Sequence, residues 1–136
     1  MYPLDSLWNS LCSNPKYVRA MFDFEKLEVY KRAKTFHVFT AGWIEKQESL
    51  HKSTRDQLFR ASLSIAINIA EGGGRFSKAD RRNFYVIARG SVYECFAILD
   101  IITEMGLGES QEIREMKSTC EELSKMLFAM IRNLQT

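Results

Sequence analysis

LFRASLSIAINIAEGGGRFSKADRRNFYVIARGS, residues 58–91, places an almost wholly apolar segment, three glycines and a basic segment in direct succession. The apolar segment has two stripes at helical spacing, which predicts a helix that is buried on most sides. Gly72 is expected to end this helix in the left-handed conformation, which glycine adopts easily because it has no Cβ. Ser77 then predicts the N-cap of the next helix, with Asp80 in its first turn, where a carboxylate favours the helix dipole. The stretch therefore predicts two helices joined by a tight corner.

Helical periodicity extends from this corner in both directions along the chain. The last helix has the most regular pattern, a repeat of threes and fours that is typical of a bundle seam: Ile113, Met116, Cys120, Leu123, Leu127, Met130 and Leu134. Four helices are predicted, at about residues 24–47, 55–71, 78–105 and from 109 or 110 to 134. No segment alternates as a strand does. The predicted fold class is therefore all-α, an up-down-up-down antiparallel four-helix bundle.

The ends of the helices and the face of the first helix have further signals. Thr54 followed by Gln57 resembles a capping box that opens the second helix, and Gly106 is the expected stop of the third. The first helix has a wide apolar stripe, with one set of residues near its face and a second set that widens it: Leu27, Tyr30, Lys34, His37, Ala41 and Ile44, then Val29, Ala33, Phe36 and Trp43. The two sets together predict one broad apolar face on this helix.

Length and composition indicate one globular domain. The chain has 136 residues, of which 46% are hydrophobic and 26% are charged, enough for one core but not for two. Residues 22–136 form the predicted bundle, and residues 1–21 form an N-terminal leader outside it, in which Met21 is an alternative translation start. The three cysteines are widely spaced, which indicates reduced thiols. Because there is neither a secretory signal nor an apolar run of bilayer length, the protein is expected to be cytoplasmic.

Basic residues are concentrated in the middle third of the chain. The net charge is +2 overall, yet the segment from His51 to Val92 has eight basic and three acidic residues, which indicates an anionic partner on one side of the molecule. Six of the basic residues are candidates for contact with RNA or DNA, four beside the glycines and two at the start of the second helix: Arg75, Lys78, Arg81 and Arg82, then Lys52 and Arg55. Free N–H groups at a helix N-terminus beside such side chains suit phosphate. A solvated corner without a ligand is the alternative.

A line of polar residues runs along the apolar second helix. Spacings of four, four and three place its members on one face of the helix: Arg60, Ser64, Asn68 and Glu71. Their expected partners are polar residues of the third helix: Arg89, Ser91 and Glu94. Buried polar groups need partners, because an unpaired one costs about 1–3 kcal/mol. Pairing of arginines with Glu71 and Glu94 would supply them. We interpret the set as a structural network that fixes helix register or a subunit contact, with a ligand pocket as the alternative.

The sequence lacks the motifs of metal, nucleotide and nucleophile chemistry. Glu48 and His51 have the E-x-x-H spacing of di-iron bundles, but such a site needs two copies of the motif, and His37 is the only other histidine. The segment GGGRFSK does not follow the P-loop order. Ser62 and Ser64 have no histidine in their own segment. We therefore expect that the protein is not an enzyme and has no metal and no cofactor.

Three segments together carry a family resemblance: FEKLEVYKRA at 24–33, RASLSIAINIAEGGGR at 60–75 and NFYVIARGSVYE at 83–94. Over residues 22–134 the chain resembles the bacterial four-helix-bundle proteins encoded in intervening sequences of 23S ribosomal RNA genes, once classed as ribosomal proteins. The resemblance implies a homopentameric barrel. It also implies kinship with accessory proteins of diversity-generating retroelements, which are basic pentamers that engage nucleic acid and a reverse transcriptase. The leader has no counterpart in the resemblance and inherits nothing from it.

Two functions compete on this basis. The first is a non-enzymatic homo-oligomeric scaffold, most simply a pentamer, that binds RNA or DNA through backbone phosphate. The alternative is a protein-interaction module, a retroelement or phage-related accessory protein that engages a reverse transcriptase or another partner without touching nucleic acid. Neither function involves a membrane.

Overall fold

The structure, a computed structural model, describes residues 23–107 and 109–135 together with Ser6, Asn9 and Ser13. The predicted leader, residues 1–21, otherwise lies outside the described residues. Four α-helices follow one another: α1 Glu28–Glu45, α2 Lys52–Gly73, α3 Lys78–Ile102 and α4 Gln111–Asn133. A 3₁₀ turn, Asp23–Lys26, precedes α1, and a π-helical turn, Thr103–Leu107, follows α3. The described residues include no strand, so the all-α prediction is confirmed.

The four helices form a bundle in which each packs against its neighbours in the chain, and α1 closes the bundle against α4. Because the connections are short, consecutive helices run in opposite directions. The α1–α2 side of the bundle consequently lies opposite the α3–α4 side. The four-helix bundle predicted from the sequence is therefore confirmed.

The core consists of one seam from each helix. The α4 prediction is confirmed: its first five seam residues are buried, and Met130 and Leu134 pack at the edge. The buried face of α1 is built mainly from the set that widens the predicted stripe, with Ile44 from the first set and the polar Thr40: Val29, Ala33, Phe36, Thr40, Trp43 and Ile44. From Val29 to Trp43 the buried positions are spaced alternately by four and three residues, and Thr40 is the one polar residue among them. A polar residue in the seam concealed the pattern.

Three of the predicted helix ends are confirmed, and two, at Thr54 and at Gly72, are wrong. Ser77 accepts a hydrogen bond from Asp80 N at 3.1 Å, Ser110 accepts one from Ile113 N at 3.2 Å, and Gly106 has a φ of 94°. The capping box at Thr54 does not exist, because α2 begins earlier, at Lys52. His51 is its N-cap, and the ring Nδ1 accepts from Ser53 N at 3.2 Å.

Gly72 does not adopt the left-handed conformation predicted for it. Helix α2 continues through Gly73, and Gly74 caps it at a φ of −89°. Glycine is needed at position 72 for a close approach instead, since a Cβ there would lie 2.7 Å from Tyr85 Cε1 and 3.1 Å from Phe84 Cβ. Tyr85 is buried. The absence of a side chain at Gly72 therefore lets an aromatic ring of α3 pack directly on the backbone of α2.

Replacing Gly72 with alanine should destabilise the protein, because the new methyl group would force the buried Tyr85 ring to move. Overpacking of this kind costs about 1–3 kcal/mol. Gly90→Ala is a matched control, because Gly90 is an exposed helical glycine and, apart from its chain neighbours and the nearby backbone of its own helix, no atom lies within 4 Å of the position that a Cβ would occupy. That change should stabilise the protein by about 0.5–1 kcal/mol. Urea unfolding of both variants measures the difference, and equal stability of the two would contradict the close approach.

Candidate nucleic-acid interface

The basic corner, residues 72–82, joins α2 to α3 at one end of the bundle. The side chains of Arg75, Lys78 and Arg81 are exposed and that of Arg82 is half-buried. These four candidates therefore come together around one tight connection. Phe76 lies in the middle of them.

Contacts within the corner hold its backbone in place. The Arg81 Nε donates a hydrogen bond to the Arg75 carbonyl oxygen at 2.7 Å, across the turn. The guanidinium of Arg75 lies over the Phe84 ring, 4.6 Å from its centroid. The Ser77 hydroxyl oxygen uses one of the N–H groups that the first turn of α3 leaves free. The corner is thus an ordered structure with cationic side chains directed outward.

The positive charge of the corner is not neutralised internally. Within the described residues, none of its four basic side chains forms an ion pair, although Glu71 and Asp80 are close in sequence. Some cations elsewhere in the bundle are paired, as at Arg32, whose Nη1 lies 2.8 Å from a carboxylate oxygen of Glu122. An anionic ligand at the corner would therefore meet cations that have no competing carboxylate partner.

The other two candidates, Lys52 and Arg55, do not join the corner. They lie in the first turn of α2, whereas the corner begins in its last turn. A helix of 22 residues is about 33 Å long at 1.5 Å per residue. Lys52 Nζ lies 4.0 Å from an Asp56 carboxylate oxygen, and the Nε of Arg55 is buried without a hydrogen-bond partner among the described residues. These two residues belong to the opposite end of the bundle.

Three members of the predicted polar line meet between α2 and α3. The Asn68 amide donates to the Ser64 hydroxyl oxygen at 3.0 Å, Ser64 and Ser91 share a hydrogen bond at 2.9 Å, and Ser91 donates to the Ile87 carbonyl at 3.3 Å. One orientation of the hydroxyl hydrogens satisfies all three bonds, with Ser64 donating to Ser91. The result is a directed chain of hydrogen bonds that links the two helices, as a structural network requires.

The remaining members of the line are placed differently. Arg60 and Glu71 are exposed and have no hydrogen bond or ion pair among the described residues. Glu94 accepts a hydrogen bond from the Gln57 amide, a partner that the sequence reasoning missed although Gln57 lies on the same face as Arg60. Since neither glutamate is paired with an arginine in the described chain, the expected arginine–carboxylate pairs do not form there.

Arg89 points to α4 rather than to α2. Its Nη2 donates to the Tyr93 hydroxyl at 3.0 Å and its Nε donates to the Ser124 carbonyl at 3.3 Å. The guanidinium also lies over the rings of Tyr93 and Phe128, at 4.9 and 5.5 Å from their centroids. Arg89 therefore ties α3 to α4.

The chain is similar to known proteins both in sequence and in fold. The sequence model described as "23S rRNA-intervening sequence protein" matches residues 25–129. The chain belongs to this family. A crystal structure of a protein of unknown function from the S23 ribosomal protein family of Bacteroides thetaiotaomicron is similar, with a TM-score of 0.72 and 22% identity over 76% of this chain and 97% of that chain. At that identity the likeness concerns the fold. No curated protein matches the sequence.

One histidine and one serine from different helices of this chain are in contact. His37 Nδ1 of α1 lies 2.8 Å from the Ser62 hydroxyl of α2, which also donates to the Phe59 carbonyl at 3.0 Å. The His37 ring packs edge-on against Phe59, with the centroids 4.8 Å apart. Ser62 is wholly buried, so its hydroxyl is not accessible to a substrate. The contact joins α1 to α2, and burial lowers the pKa of His37.

Two cysteines lie in the core between α3 and α4. Cys95 and Cys120 are free and buried. Burial raises the pKa of Cys120 to about 12 and that of Cys95 further, so both thiols stay protonated and unreactive at neutral pH. Among the described residues, no group of three acidic, histidine or cysteine side chains is placed to hold a metal ion. No helix in that part of the chain is both long and apolar enough to cross a bilayer.

Acidification should destabilise this family member through His37. Burial lowers its pKa from 6.5, so below that pH the unfolded chain binds a proton that the folded chain resists. Above the pKa that His37 has in the unfolded chain, this residue costs no stability. As the pH drops below that pKa, the free energy of unfolding falls. The urea midpoint should therefore be lower at pH ~5.5 than at pH ~7.5, and His37→Gln should reduce this difference.

The second histidine supplies the control for that measurement. His51→Asn leaves His37 in place and keeps an acceptor at the N-cap of α2, so the dependence on pH should persist. If H37Q and the unsubstituted protein show the same pH dependence, the assignment to His37 is incorrect.

Proposed function

We propose that this protein is a non-enzymatic, homo-oligomeric scaffold that binds RNA or DNA through backbone phosphates at the basic corner. The observation that carries the proposal is the presence of four basic side chains around one ordered turn with no ion pair among the described residues: Arg75, Lys78, Arg81 and Arg82. Cationic side chains of this kind bind phosphate, and counterion release makes the binding dependent on salt. We leave Lys52 and Arg55 out of the proposed interface because they lie at the other end of α2.

Exposed apolar surfaces on opposite sides of the bundle support an oligomer. The α1–α2 face consists of Val38, Phe59, Leu63 and Ile67, all exposed. The α3–α4 groove has a volume of about 380 Å³ and is lined by residues that include Tyr93 and Phe96. Contiguous apolar patches of this kind favour association. If the α1–α2 face of one protomer packs on the α3–α4 groove of the next, the contacts are head-to-tail. Such contacts close into a ring when the rotation between neighbouring protomers divides a full turn evenly. We propose that ring as a homopentamer, as the family resemblance implies.

The rival function is a protein-interaction module, including an accessory role beside a retroelement reverse transcriptase. The α3–α4 groove favours it, because the Arg89 guanidinium lies beside the groove over the exposed rings of Tyr93 and Phe128, and aromatic residues with arginine are typical of protein interfaces. In that case the groove would bind another protein and the basic corner would have no ligand. Binding to nucleic acid distinguishes the two functions.

Neutralising two corner cations should weaken binding to RNA and DNA of unrelated sequences to a similar extent, because phosphate contacts carry no base information. We choose Lys78→Gln with Arg82→Gln, since Arg75 and Arg81 also support the turn. The slope of log K against log salt should become shallower by about 0.7–0.9 for each phosphate that the variant no longer binds. Fluorescence anisotropy between ~50 and ~200 mM salt measures both effects.

A matched variant separates local contacts from net charge. Lys46→Gln with Lys125→Gln removes the same charge from positions outside the corner and should have a smaller effect on affinity. If the unsubstituted protein does not bind long RNA or duplex DNA even at ~50 mM salt, where electrostatic binding is strongest, the nucleic-acid proposal is wrong and the protein-interaction module replaces it.

Light scattering should give a mass well above the 15.8 kDa of one chain, and five times that mass for the pentamer. Leu63→Glu with Ile67→Glu should dissociate the assembly, because association would bury two unpaired carboxylates on the α1–α2 face. Phe39→Glu is the control, since Phe39 is also exposed but faces α4 beside Met116 and Ile113, outside both apolar faces. A stable species of 15.8 kDa at micromolar concentration would exclude the oligomer.

A further inference from the structure

Phe76 is the most exposed large apolar residue among those that the structure describes. Its relative exposure is 102%, whereas the next highest value is 66%, at Val38. No atom of the described chain therefore covers the ring, and both of its faces are open to solvent. An isolated Phe at the tip of a turn contributes nothing to the core, so its position points to a ligand outside the protomer.

The turn presents Phe76 on a fixed backbone. On one side, the Arg75 carbonyl accepts the hydrogen bond from Arg81, and the Arg75 side chain lies over Phe84. On the other side, Ser77 caps α3. The residues before and after Phe76 are thus both held, and the ring extends from an ordered support. A fixed support reduces the entropy that a ring loses when it binds a ligand.

The surroundings of Phe76 are cationic rather than apolar. All residues from 74 to 81 are exposed, and the basic side chains among them form no ion pair in the described chain. An aromatic ring at the centre of a protein interface normally lies within a larger apolar patch, as Phe59 does beside Leu63 and Ile67. A single open ring among cations instead matches sites for single-stranded nucleic acid, where bases stack on aromatic rings and cations bind the backbone.

We propose that Phe76 stacks on a nucleobase and that the ligand of the basic corner is single-stranded RNA or DNA. This inference rests on the proposed function and narrows its ligand class. A duplex hides the faces of its bases within the stack, so it could use the cations of the corner but not the ring. Arg75 and Lys78, on either side of the ring in sequence, would bind phosphates that flank the stacked base.

Phe76→Ala tests the proposal with three labelled probes of equal length: a single strand, a blunt duplex and a single strand with abasic sites that retains every phosphate. The variant should lose affinity for the normal single strand by about 5- to 150-fold, which corresponds to stacking of one base. Its affinity for the duplex and for the abasic strand should be unchanged. Phe76→Trp should retain the preference for the normal strand, and its fluorescence should be quenched by that strand alone.

Phe39→Ala is the control, because Phe39 is an exposed phenylalanine on α1 outside the corner, and it should bind all three probes normally. If the unsubstituted protein binds no probe at ~50 mM salt, the proposed function fails and this inference fails with it. If the protein binds all three probes but F76A affects them equally or not at all, stacking is excluded while phosphate binding stands. A change in assembly mass for F76A without selective loss of the single strand would make Phe76 a subunit contact and overturn the inference.

Discussion

The close approach of Tyr85 to the backbone at Gly72 determines how α2 and α3 lie against each other at the basic corner. Any Cβ at position 72 would lie within 3.0 Å of the ring, so the distance between the two helices at this end depends on one missing side chain. Farther along the same interface, the hydrogen bond between Ser64 and Ser91 fixes the register. Together these contacts place the start of α3 immediately beside the end of α2, where a short turn can join them.

The proposed binding residues are held by interactions that do not consume their charge. Arg81 uses one N–H group on a backbone carbonyl, and Arg75 uses the face of its guanidinium on an aromatic ring. Neither contact neutralises a cation, so the turn is ordered while its positive field is retained. A salt bridge would order such a turn equally well but would compete with phosphate for the same atoms.

The sequence predicted the fold wherever a local pattern was undisturbed, as in the α4 seam and the Ser77 and Ser110 caps. At α1 it did not indicate which part of the wide apolar stripe is buried, because Thr40 lies in the buried seam with no hydrogen-bond partner for its hydroxyl among the described residues, and its polarity concealed the repeat. The role of Gly72 could not be predicted, since it depends on a ring 13 positions away in another helix. The same holds for Arg89, whose partners Tyr93 and Ser124 require knowledge of which helices are adjacent.

The geometry of the bundle relates the proposed assembly to the proposed ligand. The apolar α1–α2 face and the α3–α4 groove run along the helices, whereas the basic corner lies at one end of them. Contacts along the sides would therefore leave the corner uncovered. In a cyclic assembly, rotation about the axis carries each corner onto the next at the same height, so all corners face one rim. A single strand that follows this rim would meet the same turn repeatedly, and avidity would strengthen binding that is weak at any one corner.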